Sequence, residues 1–360
     1  MNKILTLLAA FIAVTGIAFA ETMLTESLSV GGFIDMSYSD GDNGKESTSG
    51  IDQVEVDFTF NNGGPVSGQL DVEYENGLEG LNLEEAYINY AFADGGILTV
   101  GRFETMLLQD ATEPTGLYQY SNAYDFYGVN FNQALYDVKD QGIKYSSGGW
   151  AIALIDNGDS KIGDGDNPAV GDGDYAYEIG YTGKLSDTVT GFIGARITEN
   201  DIAHFDGDIY NVYLTYEEGP WVIGGEYLTT ENSTSGNDIF IKSASFEPLS
   251  NAPAQFDATP DVTDDPLTDI DFNSVDTNLF SLFANYSYSE KNSVTVRYSD
   301  MSGDAKANDN KTYDVDATKL TFAHNSALSH DLALILEYSM QDSNHTKDED
   351  IFAVELLYAF

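Results

Sequence analysis

No cysteine occurs among the 360 residues, so disulfides do not staple this fold. Basic residues are scarce too. Lys and Arg together number 15 against 60 Asp and Glu, only three of the fifteen are arginine, and the formal net charge is −45. Nucleic acid is excluded as a partner, because neutralising phosphates needs clustered Lys and Arg. There are 8 prolines and 2 tryptophans. Beyond residue 20 no apolar run approaches the roughly 20 residues that a bilayer-spanning helix needs. The four histidines (His204, His324, His330, His345) lack metal-ligand spacing. No nucleophile elbow, P-loop or dinucleotide fingerprint is present. His324 near Ser326 is the only local nucleophile–base pair, so an enzyme reading finds no support.

What is present points elsewhere. Met1-Asn2-Lys3, an apolar run over residues 4–17 and Ala18-Phe19-Ala20 make up an export signal. The run is short for a membrane anchor and Ala20-Glu21 is a cleavable junction. The expected division is therefore a leader over 1–20 and one domain over 21–360, in which no linker-like change of composition occurs. That domain is rich in Tyr, Phe and Gly, with 23, 20 and 34 in the whole chain.

Strand alternation is the dominant pattern. Val54, Val56, Phe58 and Phe60 alternate with Gln53, Glu55, Asp57 and Thr59; Leu332, Leu334, Leu336 and Tyr338 alternate with Ala333, Ile335, Glu337 and Ser339. Sixteen such segments are read: 26–39, 51–61, 66–75, 83–92, 97–104, 141–147, 149–156, 173–183, 188–198, 207–217, 220–230, 277–290, 292–301, 314–325, 330–341 and 350–360. Most approach the roughly 9–11 residues of a tilted transmembrane strand. Short turns alternate with longer polar loops, and Tyr, Phe and Trp cluster near strand ends, where amphipathic rings sit at a membrane interface. The expected fold is all-β, a transmembrane antiparallel β-barrel of about 16 strands with the N-terminus on the periplasmic side. A soluble β-sandwich accounts for the alternation but not for the short–long rhythm.

The leader, the alternating strands and the terminal Leu357-Tyr358-Ala359-Phe360 resemble Gram-negative outer-membrane porins, whose last strand typically ends in Phe. Glu85–Tyr90 and Leu98–Phe103 look like the strand pair before the third loop of that group. Residues 113–124 (EPTGLYQYSNAY) are similar to the matching segment of OmpL-like β-barrel porins. The resemblance implies a channel for small hydrophilic solutes and ions in the outer-membrane lipid, general-diffusion or OmpL-like in type, commonly a homotrimer. It also implies that the interruption over 106–141 is a third loop folded into the barrel. That gap carries five tyrosines and five carboxylates, and so long an irregular segment inside a compact domain is expected to be functional.

If apolar faces meet lipid, the other register faces the lumen. Asp35, Glu55, Asp57, Asp71, Glu73 and Glu85 on the first four strands, with Glu337 and Glu355 on the last two, then form one acidic wall on neighbouring strands. Glu104, Glu178 and Glu226 also face inward, as do Arg102, Lys144, Arg196, Arg297 and Lys319. Acidic linings favour cations, so the expected channel prefers them, and three arginines cannot line a phosphate pore. The expected constriction sets Arg102, Glu104, Lys144, Arg196 and Arg297 against Asp110, Glu113 and Asp125 of the loop.

Other readings stay open. Tyr118, Tyr120, Tyr124 and Tyr127 suit a track for sugar rings in a sugar-specific porin, or pack the loop against the wall. Asp159, Asp164, Asp166, Asp172 and Asp174 are spaced with glycines in a way that suits loop-bound Ca²⁺, although no complete calcium-loop pattern is met and a solvated rim is the plainer account. No other cofactor is expected. Residues 239–246 suggest an extra hairpin in the longest loop, and a non-conducting adhesin or structural barrel is the rival from another class.

Overall fold

The computed structural model describes residues 22–42, 47–75, 81–110, 114–126, 139–156, 175–199, 207–233, 272–307, 312–344 and 348–360. The suggested hairpin at 239–246 lies outside them. β1 (Thr22–Thr25) is short and pairs with the start of β2 (Leu28–Gly41). The sheet continues through β3 (Thr48–Asn61), β4 (Val66–Glu75), β5 (Asn82–Ala91), β6 (Ile97–Glu104), β7 (Lys139–Ser147), β8 (Trp150–Asp156), β9 (Tyr175–Lys184) and β10 (Val189–Glu199). It goes on through β11 (Gly207–Glu218), β12 (Trp221–Ser233), β13 (Phe272–Ser289), β14 (Asn292–Ala307), β15 (Thr312–Ala327), β16 (Leu332–Ser343) and β17 (Glu349–Ala359). Each strand from β2 onward pairs antiparallel with its sequence neighbour. β17 closes onto β2 from Ile351↔Gly41 to Ala359↔Phe33, which completes a sixteen-strand barrel. Among the described residues no helix is long and apolar enough to cross a membrane.

The alternation places side chains as a lipid-facing barrel requires, apolar outside and polar inside. In β16 Leu336 and Tyr338 are exposed, whereas Glu337 and Ser339 are buried. Their cross-strand partners repeat the division, with Phe322 opposite Tyr338 and Thr321 opposite Ser339. Tight connections mark one end. Ser147 pairs with Trp150 across Gly148 and Gly149, whose φ of 60° and 90° give the left-handed pair that a two-residue hairpin turn needs.

Aromatic pairs ring that same end: Trp150 lies 4.9 Å from Tyr181 and Trp221 lies 4.5 Å from Tyr286, centroid to centroid. At the opposite end exposed tyrosines donate to rim carboxylates, Tyr298 to Asp300 at 3.1 Å and Tyr338 to Asp350 at 2.6 Å. Two girdles of amphipathic rings result.

Two of the bulges, in β3 and β5, enrich the lumen in acid. Gln53 faces Asp35 and Ile51 faces Met36, so Asp52 is an extra residue on β3. Ala86 faces Leu70 and Leu83 faces Val72, so Glu84 and Glu85 together oppose Asp71. A regular strand would send one member of Glu84-Glu85 toward lipid; the bulge turns Glu84 inward, where it is buried.

Candidate functional site: the inward loop and the acidic wall

The chain turns inward as soon as β6 ends. Thr105 Oγ1 donates to Glu178 on β9 at 2.6 Å, and the Leu108 amide donates to Asn211 on β11 at 3.2 Å. Leu108 has φ 82°, a left-handed backbone that redirects the loop. The next amide, Gln109, donates to Glu226 on β12 at 2.8 Å. Leu107, Leu108, Tyr124 and Phe126 then join Phe192, Leu228 and Leu279 of the inner wall in one apolar cluster. A single 3₁₀ turn over Pro114–Gly116 carries the loop toward the short-turn end. There Pro114, Thr115 and Leu117 line a small cavity with Ser289, Lys291 and Ala327.

On its return the loop is clamped by wall side chains. The Tyr118 carbonyl accepts from Thr295 at 2.9 Å and Asn325 at 2.6 Å. The Ser121 amide donates to Glu337 at 3.0 Å. Arg297 reaches Asp110 at 3.3 Å, Ser121 Oγ at 3.0 Å and the Asn122 carbonyl at 2.9 Å. Lys319 donates to the carbonyls of Asn122 at 2.7 Å and Asp125 at 2.5 Å. These contacts run over β9 to β16, and the Tyr120 hydroxyl reaches Ser37 on β2 at 3.2 Å. Burial pushes the Tyr118 and Tyr120 hydroxyls above the ordinary phenol range, so both remain protonated at neutral pH.

Of the residues expected at the constriction, Arg297 and Asp110 are brought together as an ion pair. Asp125 reaches Lys319 through its carbonyl rather than its carboxylate. Arg196 pairs with Glu178 of the neighbouring strand at 3.5 Å. Lys144 stands 4.4 Å from the Phe103 ring centroid, and the Arg102 Nε donates to the Glu84 carbonyl at 2.8 Å. The Glu104 amide donates to Glu85 at 2.7 Å. Glu113 and Tyr127 lie outside the described residues, as do Asp159, Asp164, Asp166, Asp172 and Asp174.

The tyrosine track is corrected at two positions. Tyr118 is stacked on Phe283 at 5.5 Å, and Tyr124 is fully buried with its hydroxyl on Glu226 at 3.1 Å, so neither ring offers a face to a solute. The loop's apolar underside needs these rings as packing.

The acidic wall is also redistributed. Glu337, Glu226 and Glu178 accept from loop amides and are engaged in holding the loop. Asp35, Glu55, Asp57, Asp71, Glu73 and Glu85 remain on β2 to β5, and Glu355 on β17 lies beside Asp35. Asp52 and Glu84 join them through the bulges. Strict alternation misses these two; the available signal was a carboxylate standing in the lipid register, where it is costly.

A closed sixteen-strand barrel with a loop clamped inside it is a pore scaffold, and the family comparison agrees. Residues 5–346 match the Gram-negative porin family model. The chain belongs to that family. Such a porin resides in the outer membrane. Among solved structures it is similar to OmpF of Salmonella typhi in complex with daunomycin, at 14% identity with 94% of this chain and 100% of that one covered (TM-score 0.62). It is similar to OmpT expressed in the outer membrane of Vibrio cholerae, at 14% identity with 94% and 100% covered (TM-score 0.57). The anion-selective porin of Comamonas acidovorans aligns at 15% identity over 93% and 99%, with TM-score 0.56. No curated protein matches the chain.

Proposed function

We propose that this porin is a passive diffusion channel for small hydrophilic solutes that prefers cations. One observation carries the reading: the inward bases are engaged with the loop or with neighbouring strands, while the β2–β5 wall presents carboxylates. Arg297 and Lys319 lie behind the loop, bonded to its backbone and to Asp110, and Arg196 is paired with Glu178. A solute passing beside the loop therefore meets the partly exposed Asp52, Asp57 and Glu85, with the buried Asp35, Glu55, Asp71 and Glu73 adding their charge behind them, and acid-lined constrictions favour cations. Selectivity does not travel with this fold, since an anion-selective porin shares it, so the wall chemistry is the relevant argument. The packed rings of Tyr118 and Tyr124 favour general diffusion over a sugar-specific track. Residues 1–20 act as the export leader and the mature protein is a homotrimer. No catalytic step belongs to this reading.

Reversal potentials across a planar bilayer with a KCl gradient, in the presence of chelator, test it. The expected sign is that of K⁺ preference, and a preference for chloride overturns the proposal. Liposome swelling with sugars of graded size should fall smoothly with size; no swelling at all would favour a structural barrel.

A further inference from the structure

The inner face of β3, β4 and β5 carries an arrangement that conduction does not require. Glu55 sits directly opposite Glu73, and Asp57 directly opposite Asp71. Like charges in direct cross-strand register are destabilising, and here two such pairs are adjacent. The β5 bulge opposite Asp71 adds Glu84 to them. In the groups Glu55–Asp57–Asp71 and Glu55–Glu73–Glu84, one carboxylate oxygen from each residue lies within 4.8 Å of the other two. Four of these five side chains are at most 8% exposed.

A second observation is independent of this clustering. Asp71 is 2% exposed, and its Oδ2 accepts from Gln69 at 2.6 Å, yet its Oδ1 and the Oδ1 of Asp57, both residues of one such group, are buried with no hydrogen-bond partner. A buried carboxylate oxygen without a donor is costly, and a counter-charge removes that cost.

We propose that these carboxylates hold a hard divalent cation, Ca²⁺ in the first instance, on the inner wall of the barrel. Ca²⁺ takes oxygen ligands at roughly 2.3–2.6 Å, so oxygens on opposite sides of it stand about 4.6–5.2 Å apart. Glu55 belongs to both groups, with Glu73 and Glu84 in one and Asp57 and Asp71 in the other, and is the ligand they share. The bulge completes the Glu55–Glu73–Glu84 group, because without it Glu84 would face lipid. This site differs from any held by the external loops, since all its ligands are strand residues. It rests on the proposed acidic lumen, but the two fail separately, because K⁺ preference under chelator does not depend on the ion.

The test is calorimetric titration of CaCl₂ into refolded, chelator-treated full-length protein in KCl at neutral pH. One saturable Ca²⁺ per chain is expected, with affinity at least tenfold weaker in Glu84→Gln and in Asp71→Asn. Asp164→Asn/Asp166→Asn in the external loop should leave it unchanged. Heat-modifiable gel mobility verifies folding of each variant, and Glu73→Gln serves should Asp71→Asn not fold. On the unaltered protein, millimolar Ca²⁺ should lower K⁺ conductance saturably. Heat that does not saturate, binding that survives the wall substitutions, or binding lost with the loop substitutions overturns the proposal.

Discussion

Replacing Arg297 with alanine should release the inward loop while leaving the barrel intact. Arg297 is 1% exposed, and its guanidinium joins Asp110 at 3.3 Å, Ser121 Oγ at 3.0 Å and the Asn122 carbonyl at 2.9 Å. Removing one partner of a buried hydrogen-bonded ion pair costs about 3–5 kcal/mol. The lower end applies here, because Asp110 keeps the Ala123 amide at 2.7 Å and Lys319 still holds Asn122. About 3 kcal/mol raises the population of the undocked loop roughly a hundredfold. The barrel is spared because alanine keeps the backbone of residue 297 in the β14 ladder, in register with Phe283 and Thr321. Single-channel recording should show higher conductance with more frequent transitions between levels. Arg297→Lys keeps the charge but not the forked geometry, and should fall between the two. Unaltered conductance and level statistics in a folded Arg297→Ala barrel would refute the clamp.

Tyr124→Phe removes the buried hydrogen bond to Glu226 at 3.1 Å and should weaken loop docking by about 1–3 kcal/mol. Hydrogen exchange should then quicken at the Gln109 and Ala123 amides but not in the strands. Gly101→Ala should destabilise the barrel itself: φ is 138°, a built Cβ would lie 2.1 Å from the Ala86 carbonyl oxygen, and the backbone strain alone costs about 1–3 kcal/mol. Its heat-modifiability midpoint should fall, and an unchanged midpoint would contradict the close β5–β6 approach. Trp150 and Trp221 both follow short turns and pack on girdle tyrosines. Quenchers carried at the headgroup level should therefore quench both strongly, and those at the bilayer centre weakly. Lys306→Ala removes an exposed rim pair with Asp276 at 3.2 Å and should change stability by no more than about 1 kcal/mol.

The sequence by itself determined the strand number, the order of the strands and which face of each meets lipid. Those properties are local: a period of two is written residue by residue, and a slip of one position would move every apolar side chain to the wrong face. Expected segments such as 66–75 and 97–104 coincide with β4 and β6, and even the entry point of the inward loop could be read. Tertiary structure alone decided how the interior charges are used. Arg297 and Lys319 look like pore-facing bases along the chain, but barrel closure brings them to Ser121 and Asn122, 175 to 198 positions away, where they hold the loop. Glu337, counted with the acidic wall, meets the Ser121 amide across 216 positions. Asp52 and Glu84 reach the lumen only because bulges in the paired strands break the local period. Alternation within one strand carries no information about the residue facing it across the lumen, and that opposing residue decides whether a charge lines the pore or anchors the loop.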